Sequence, residues 1–179
     1  MNSVCRLNNW SKECEDTLNK QINLEYWASI QYHILATYFD KDNVALKNIY
    51  LFFIKNSDEE KDHANKYMIY QNKRGGNIKL AGISDIENDT IKFDSPKSNI
   101  LQAFEKALEM EQIVYKSLLN LHEVADSNND PQFCDFIEGN YLEEQINAIN
   151  ELAKYITQLK MIGNDGHGLW NFNNEFEVN

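Results

Sequence analysis

Glu60 and His63 stand three residues apart in the stretch Asp58-Glu59-Glu60-Lys61-Asp62-His63, which lies in a strongly helical context. On a helix that spacing sets a carboxylate and an imidazole one turn apart on one face, where both can ligate one metal ion. Charged helices produce such a pair by chance, so its position carries more weight than its existence. Helical steps of three and four run through Phe53, Asn56, Glu60, His63, Tyr67 and Tyr70. The two ionisable groups therefore lie in line with an inward-facing stripe. Groups of this kind, once buried, need partners or a metal, and the rest of the chain has to provide them.

Four long helical patterns are available, at about 11–39, 45–74, 95–126 and 130–162. The first has Ser11 as N-cap and the stripe Leu18, Ile22, Glu25, Ser29, Tyr32, Ala36, Phe39. The second begins near Ala45 and stops at Gly75-Gly76. Ser95 and Pro96 start the third, whose stripe is Leu101, Phe104, Leu108, Glu111, Tyr115, Leu118, His122. Asp130-Pro131 starts the fourth, with Ile137, Tyr141, Gln145, Ala148, Leu152, Tyr155 and Leu159 on one face. The tail from 163 to 179 holds at most one short helix, around 169–176.

Each long helix spans about 45 Å. Two short connections and one long one, residues 77–94, imply two antiparallel hairpins joined by a crossover: an all-α four-helix bundle. Residues 1–179 are expected to form a single domain, with the bundle at about 11–162. Only seven Gly and two Pro fit long, regular elements.

Each stripe is apolar or aromatic except near its middle. Glu25, Glu60, Glu111 and Gln145 all fall about halfway along their helices, and such positions meet at one height in an up-and-down bundle. Three carboxylates converge there, with His63 one turn away and Tyr32 two turns from Glu25. In a core they would be protonated or expelled unless a cation neutralised them. Oxygen-rich ligation with one imidazole suits iron or manganese better than zinc. Taken singly, each acid reads more simply as a solvated or snorkelling side chain, and only the set of four at matched height reverses that reading.

Composition narrows the classes. A net charge of −11 argues against nucleic acid and anionic membrane as partners and favours attraction of cations. The three cysteines, Cys5, Cys14 and Cys134, form no C-x-x-C pair, which favours a reducing compartment. Residues 1–10 hold no apolar leader, and no run approaches eighteen apolar residues. A soluble, cytoplasmic protein is expected.

Long motifs give the chain a resemblance over residues 8–163 to eukaryotic ferritin of the heavy-chain type. They are Gln21-Ile22-Asn23-Leu24-Glu25, Tyr38-Phe39-Asp40 with Val44-Ala45-Leu46-Lys47-Asn48, and Glu59-Glu60-x-x-His63-Ala64. Gln71-Asn72-x-Arg74-Gly75-Gly76, Asn129-Asp130-Pro131 through Glu138, and Tyr141-Leu142-x-Glu144-Gln145 complete them. The resemblance implies a ferritin-like bundle with a fifth, C-terminal helix. It also implies a cage of twenty-four subunits, homo-oligomeric or shared with other ferritin subunits, that oxidises Fe(II) with dioxygen and stores ferric mineral. It assigns Glu25, Glu60, His63 and Glu111 as ligands of a di-iron ferroxidase site, with Gln145 and Tyr32 supporting them. Tyr32 reads equally as an electron donor and as a buried aromatic bonded to a carboxylate.

Further sites follow from the same resemblance. Asp135 and Glu138, with Cys134 and His122 nearby, match carboxylates lining three-fold channels; alone they read as an ordinary acidic first turn. Glu59 and Asp62 match cavity-facing nucleation acids, although Asn65 stands at the third position of that set. His33 and His167 read as surface or packing residues.

Symmetric di-iron bundles carry a second E-x-x-H on the fourth helix, where this chain has Gln145-Ile146-Asn147-Ala148. The second metal position should hold iron more weakly, which favours release of product over a permanent cofactor. The alternatives are a non-catalytic or weakly catalytic structural subunit and a soluble di-iron oxidase that forms no cage. Trp170 and Phe172, on the fifth helix, are expected to be buried only in the assembled cage.

Overall fold

The computed structural model describes residues 3–82, 93 and 98–176. Among them the elements are α1 (Lys12–Phe39), α2 (Lys47–Lys73), α3 (Asn99–Ser127), α4 (Pro131–Ile137), α5 (Glu143–Ile162) and α6 (Gly166–Glu175). A π-helical turn, Glu138–Leu142, joins α4 to α5, so these three pieces make one long rod. Helix α1 packs along α2, α3 packs along α5, and α1 also lies against α3. The result is the expected all-α four-helix bundle with one long crossover and a short C-terminal helix.

Helix ends are set by local chemistry. Ser11 Oγ accepts from Cys14 N at 3.0 Å, and Asp130 caps α4 by accepting from Phe133 N at 3.1 Å. Past α2, Gly75 takes φ +72°. Gly76 N–H then bonds Gln71 O and Gly75 N–H bonds Asn72 O, a Schellman ending that satisfies the last carbonyls. Asn129, at φ +54°, ends α3 with the same pair of bonds, to Asp126 O and, through Asp130 N–H, to Ala125 O. Arg74 then pairs with buried Asp130 and lies over the Trp10 ring, tying α2 to the start of α4.

Two helix starts differ from expectation. Ala45 sits outside α2 in a left-handed conformation, φ +51°, and the helix begins at Lys47. Leu46 has no side chain that can cap it; Asn173, from α6, accepts from Asn48 N at 3.1 Å and Ile49 N at 3.3 Å instead. The proposed start at Ser95 and Pro96 lies outside the described residues. Helix α3 begins at Asn99, with Ser98 Oγ accepting from Leu101 N. Most of the crossover also lies outside them, but residues 77–81 are held to α1. Asn19 and Asn23, one turn apart, bond the backbone of Asn77, Lys79 and Ala81 with both ends of their carboxamides.

The core falls into two apolar clusters. One gathers Tyr32, Phe39, Phe52, Phe53, Phe104, Leu159 and, from α6 and its C-cap, Phe172 and Phe176. The other gathers Trp10, Leu18, Ile22, Tyr67, Leu118, Phe133 and Tyr141. Phe172 is thus buried within its own chain, while Trp170 remains 57% exposed, so the two part company on one short helix. The polar mid-helix residues occupy the layer between the clusters.

Candidate metal centre

Helix α1 presents Glu25, α2 presents Glu60 and His63, α3 presents Glu111 and α5 presents Gln145, all buried as their stripes require. Ligand atoms of Glu25, Glu60 and His63 lie within 4.8 Å of one another. Among the described residues this is the one such grouping of acids, histidines and cysteines. His63 Nδ1 is 3.4 Å from Glu60 Oε2. Oε2 of Glu25 and Oε2 of Glu60 are buried without a hydrogen bond. An orphaned carboxylate oxygen is costly in a core, and two that converge beside an imidazole fit a bound cation.

Glu111 stands apart from that grouping. Tyr32 donates its hydroxyl hydrogen to Oε1 of Glu111, and Gln145 Nε2 donates to Oε2. Gln145 also donates to the Glu111 backbone carbonyl at 3.0 Å. The expected four-fold convergence is therefore a trio, Glu25, Glu60 and His63, next to a carboxylate held by a phenol and an amide. Tyr32 does touch a carboxylate, which matches the packing alternative for this residue.

Electrostatics follow from burial. Burial first, and the Glu60 charge second, hold the Glu25 carboxyl well above the usual carboxylate range. Glu60 is pushed up to about 8 by burial and then by Glu111. Burial likewise raises Glu111, against the hydrogen bonds from Tyr32 and Gln145. Three neighbouring carboxyls that resist ionisation will ionise together when a divalent cation replaces their protons.

Two contributors escape a reading by stripe. Gln21, one turn before Glu25, donates Nε2 to Glu25 Oε1 at 2.7 Å and accepts at Oε1 from Ser117 of α3. Glu144 Oε1 lies 3.4 Å from His63 Nε2 at the solvent side. Gln21 carries an i, i+4 spacing to Glu25, a signal available in the sequence; Glu144 carries none beyond adjacency to Gln145. The π turn ends at Leu142, three residues before Gln145. Such bulges re-aim the residues after them and gather at functional sites.

A cavity of about 650 Å³ reaches Glu60, His63 and Glu111 and is also lined by Glu59, Glu144, Glu151, Phe172 and Phe176. Glu59 is half-exposed, and its carboxyl is raised by partial burial. Asp62 and Asn65 are exposed on the same helix. At the opposite end of the bundle, His122 Nε2 bonds Glu138 Oε1, with Asp135 exposed and Cys134 half-buried beside them. Burial raises the Cys134 thiol. His33 and His167 are exposed, and His167 stacks on Trp170.

A family profile described as "Ferritin-like domain" matches residues 15–162. The chain belongs to the ferritin-like family. More particularly, it is similar to plant ferritins. It is 51% identical over 161 residues to "Ferritin-2, chloroplastic" of Zea mays, covering 89% of this chain and 63% of the relative. It is 48% identical over 164 residues to "Ferritin, chloroplastic" of Malus baccata var. xiaojinensis, covering 92% and 64%. "Ferritin-3, chloroplastic" of Arabidopsis thaliana is 48% identical over 167 residues, covering 93% and 63%. The chain thus spans less than two thirds of the length of these relatives. The names of these relatives are all chloroplastic, which overturns the expected cytoplasmic location. No described helix is long and apolar enough to cross a membrane.

Proposed function

We propose that this chain is an iron-storage subunit that oxidises Fe(II) with dioxygen and deposits ferric product inside a shell of its own copies, in a plastid. The observation that carries this reading is the pair of orphaned carboxylate oxygens, Glu25 Oε2 and Glu60 Oε2, facing His63 in a buried layer. Glu25, Glu60 and His63 bind one Fe(II) substrate ion. Glu60 and Glu111, with Gln145 beside them, take a second and bridge it to the first. Two Fe(II) ions then give dioxygen two electrons together, so Fe(III) and hydrogen peroxide form without free superoxide. With Ala148 where a second histidine would stand, the second ion binds weakly and leaves as product. This is the heavy-chain pattern.

We take residues 1–179 as one domain, because α6 and its C-cap bury Phe172 and Phe176 in the core of the bundle. The copies assemble into the twenty-four-subunit cage, alone or with other ferritin subunits. In that assembly Asp135, Glu138, His122 and Cys134 line the three-fold channels, and Glu59 and Asp62 serve nucleation, weakened by Asn65. The test is aerobic Fe(II) loading followed by sedimentation and electron microscopy. Closed shells with electron-dense iron cores support the reading. Iron that precipitates outside a small oligomer contradicts it.

A further inference from the structure

Two tyrosines with no part in the proposed ligand set lie against it. Tyr67 of α2 and Tyr141 of the π turn stack with ring centroids 4.2 Å apart and planes 18° from parallel. The Tyr141 ring stands edge-on to His63, centroids 5.5 Å apart. Tyr67 and Tyr141 are buried, and neither hydroxyl has a hydrogen-bond partner. A buried hydroxyl left unpaired is costly, so two at one place ask for an explanation, redox work among them. Both are phenols, groups able to give up an electron together with the hydroxyl proton.

We propose that Tyr67 and Tyr141 form a redox-active pair that donates one electron each to the hydrogen peroxide released by Fe(II) oxidation at the adjoining trio. This rests on the ferroxidase reading above. In the step, H2O2 and two phenols give two waters and two tyrosyl radicals. The O–O bond breaks, each phenol loses one electron and one proton, and both protons end in the water formed. Two holes do not rest together on stacked rings, and the aromatic run offers one of them a way out, leaving a single tyrosyl radical on the pair. Phe136 stacks on Tyr70 at 3.9 Å, and Tyr70 meets Trp10 at 5.8 Å. Without the pair, the oxidant remains beside the imidazole of His63.

The experiment is freeze-quench electron paramagnetic resonance on the full chain, loaded anaerobically with about two Fe(II) per chain. One arm receives dioxygen, and a second receives two equivalents of hydrogen peroxide, one consumed by the two Fe(II) and one left for the phenols. The parent should give a tyrosyl radical in both arms. The double variant Tyr67→Phe with Tyr141→Phe, which keeps both rings and removes two unpaired hydroxyls, should lose that signal while its Fe(II) consumption stays at the parental value and its melting temperature does not fall. Oxidised His63 should rise in its peptide map. A Tyr32→Phe variant should retain the radical. An undiminished radical in the double variant overturns the proposal, as does loss of the signal with Tyr32→Phe or its absence from the parent in the peroxide arm. A parent that consumes no Fe(II) in dioxygen sinks the ferroxidase reading instead, and the peroxide arm still judges the pair.

Discussion

Gln21 Nε2 donates to Glu25 Oε1 at 2.7 Å, and Ser117, from a different helix, donates to the other end of the same carboxamide. Glu25 thus keeps one oxygen bonded and its other, Oε2, free to face the trio. A partner that fixes a ligand's orientation is worth about 10–100-fold in metal affinity. Replacing Gln21 with Leu, together with Ser117→Ala to leave no orphaned hydroxyl, should weaken anaerobic Fe(II) binding by about that factor. Equilibrium titration with Fe(II), or Co(II) as a stable probe, measures it. Unchanged affinity would show that packing alone holds Glu25.

Proton linkage gives a second expectation. Glu60 is raised from 4.5 to about 8 in the folded chain, and Glu25 and Glu111 are raised as well. A carboxyl whose folded value exceeds its unfolded value stabilises below the unfolded value, and that stabilisation fades as pH rises through the folded one. The metal-free protein should therefore lose thermal stability between about pH 4.5 and pH 8, and Glu60→Gln should flatten that slope. Cation binding should tighten over the same range and release protons. A pH-stat that records no proton release on Fe(II) addition at pH 6.5 would contradict the protonated state of the empty site.

The fold was legible because its signals are local and repeated. Stripes through Glu25, Glu60, Glu111 and Gln145 give both the helix count and the shared height, since a 3.6-residue period leaves little freedom about which face turns inward. What escaped depends on contacts distant in sequence. Asn173 caps α2 across 125 residues, and no local pattern marks it. The π turn at Glu138–Leu142 leaves the periodicity of the fourth rod almost intact. Separation of Glu111 from the trio is a matter of side-chain bonding, set by Tyr32 and Gln145, which spacing along a helix cannot specify. Ser98 caps α3, three residues nearer the apolar run than the serine the pattern offered first.

The Asn173 contact makes α6 more than a tail. Its carboxamide oxygen accepts from two N–H groups at the start of α2, the helix that carries Glu60 and His63, and its backbone carbonyl accepts from Asn48 Nδ2 at 2.8 Å. Losing a cap of this kind costs about 1 kcal/mol. Asn173→Ala should lower stability to denaturant by about that amount while leaving the trio's affinity for Co(II) unchanged, since the site lies several turns along α2. A fully stable variant would mean that water replaces the cap at no cost.

The most direct measurement is stopped-flow absorbance of ferric product after about two Fe(II) per chain, bound anaerobically, meet dioxygen. Loss of an outer partner alone costs about 10–100-fold, so removal of two ligands in Glu60→Ala with His63→Ala should slow oxidation by at least about 100-fold. Assembly size and helical content should match the parent, because the substitutions remove a buried carboxyl oxygen that has no hydrogen bond in the empty site. Oxidation by that variant at the parental rate would place the chemistry elsewhere and contradict the site built by Glu25, Glu60 and His63.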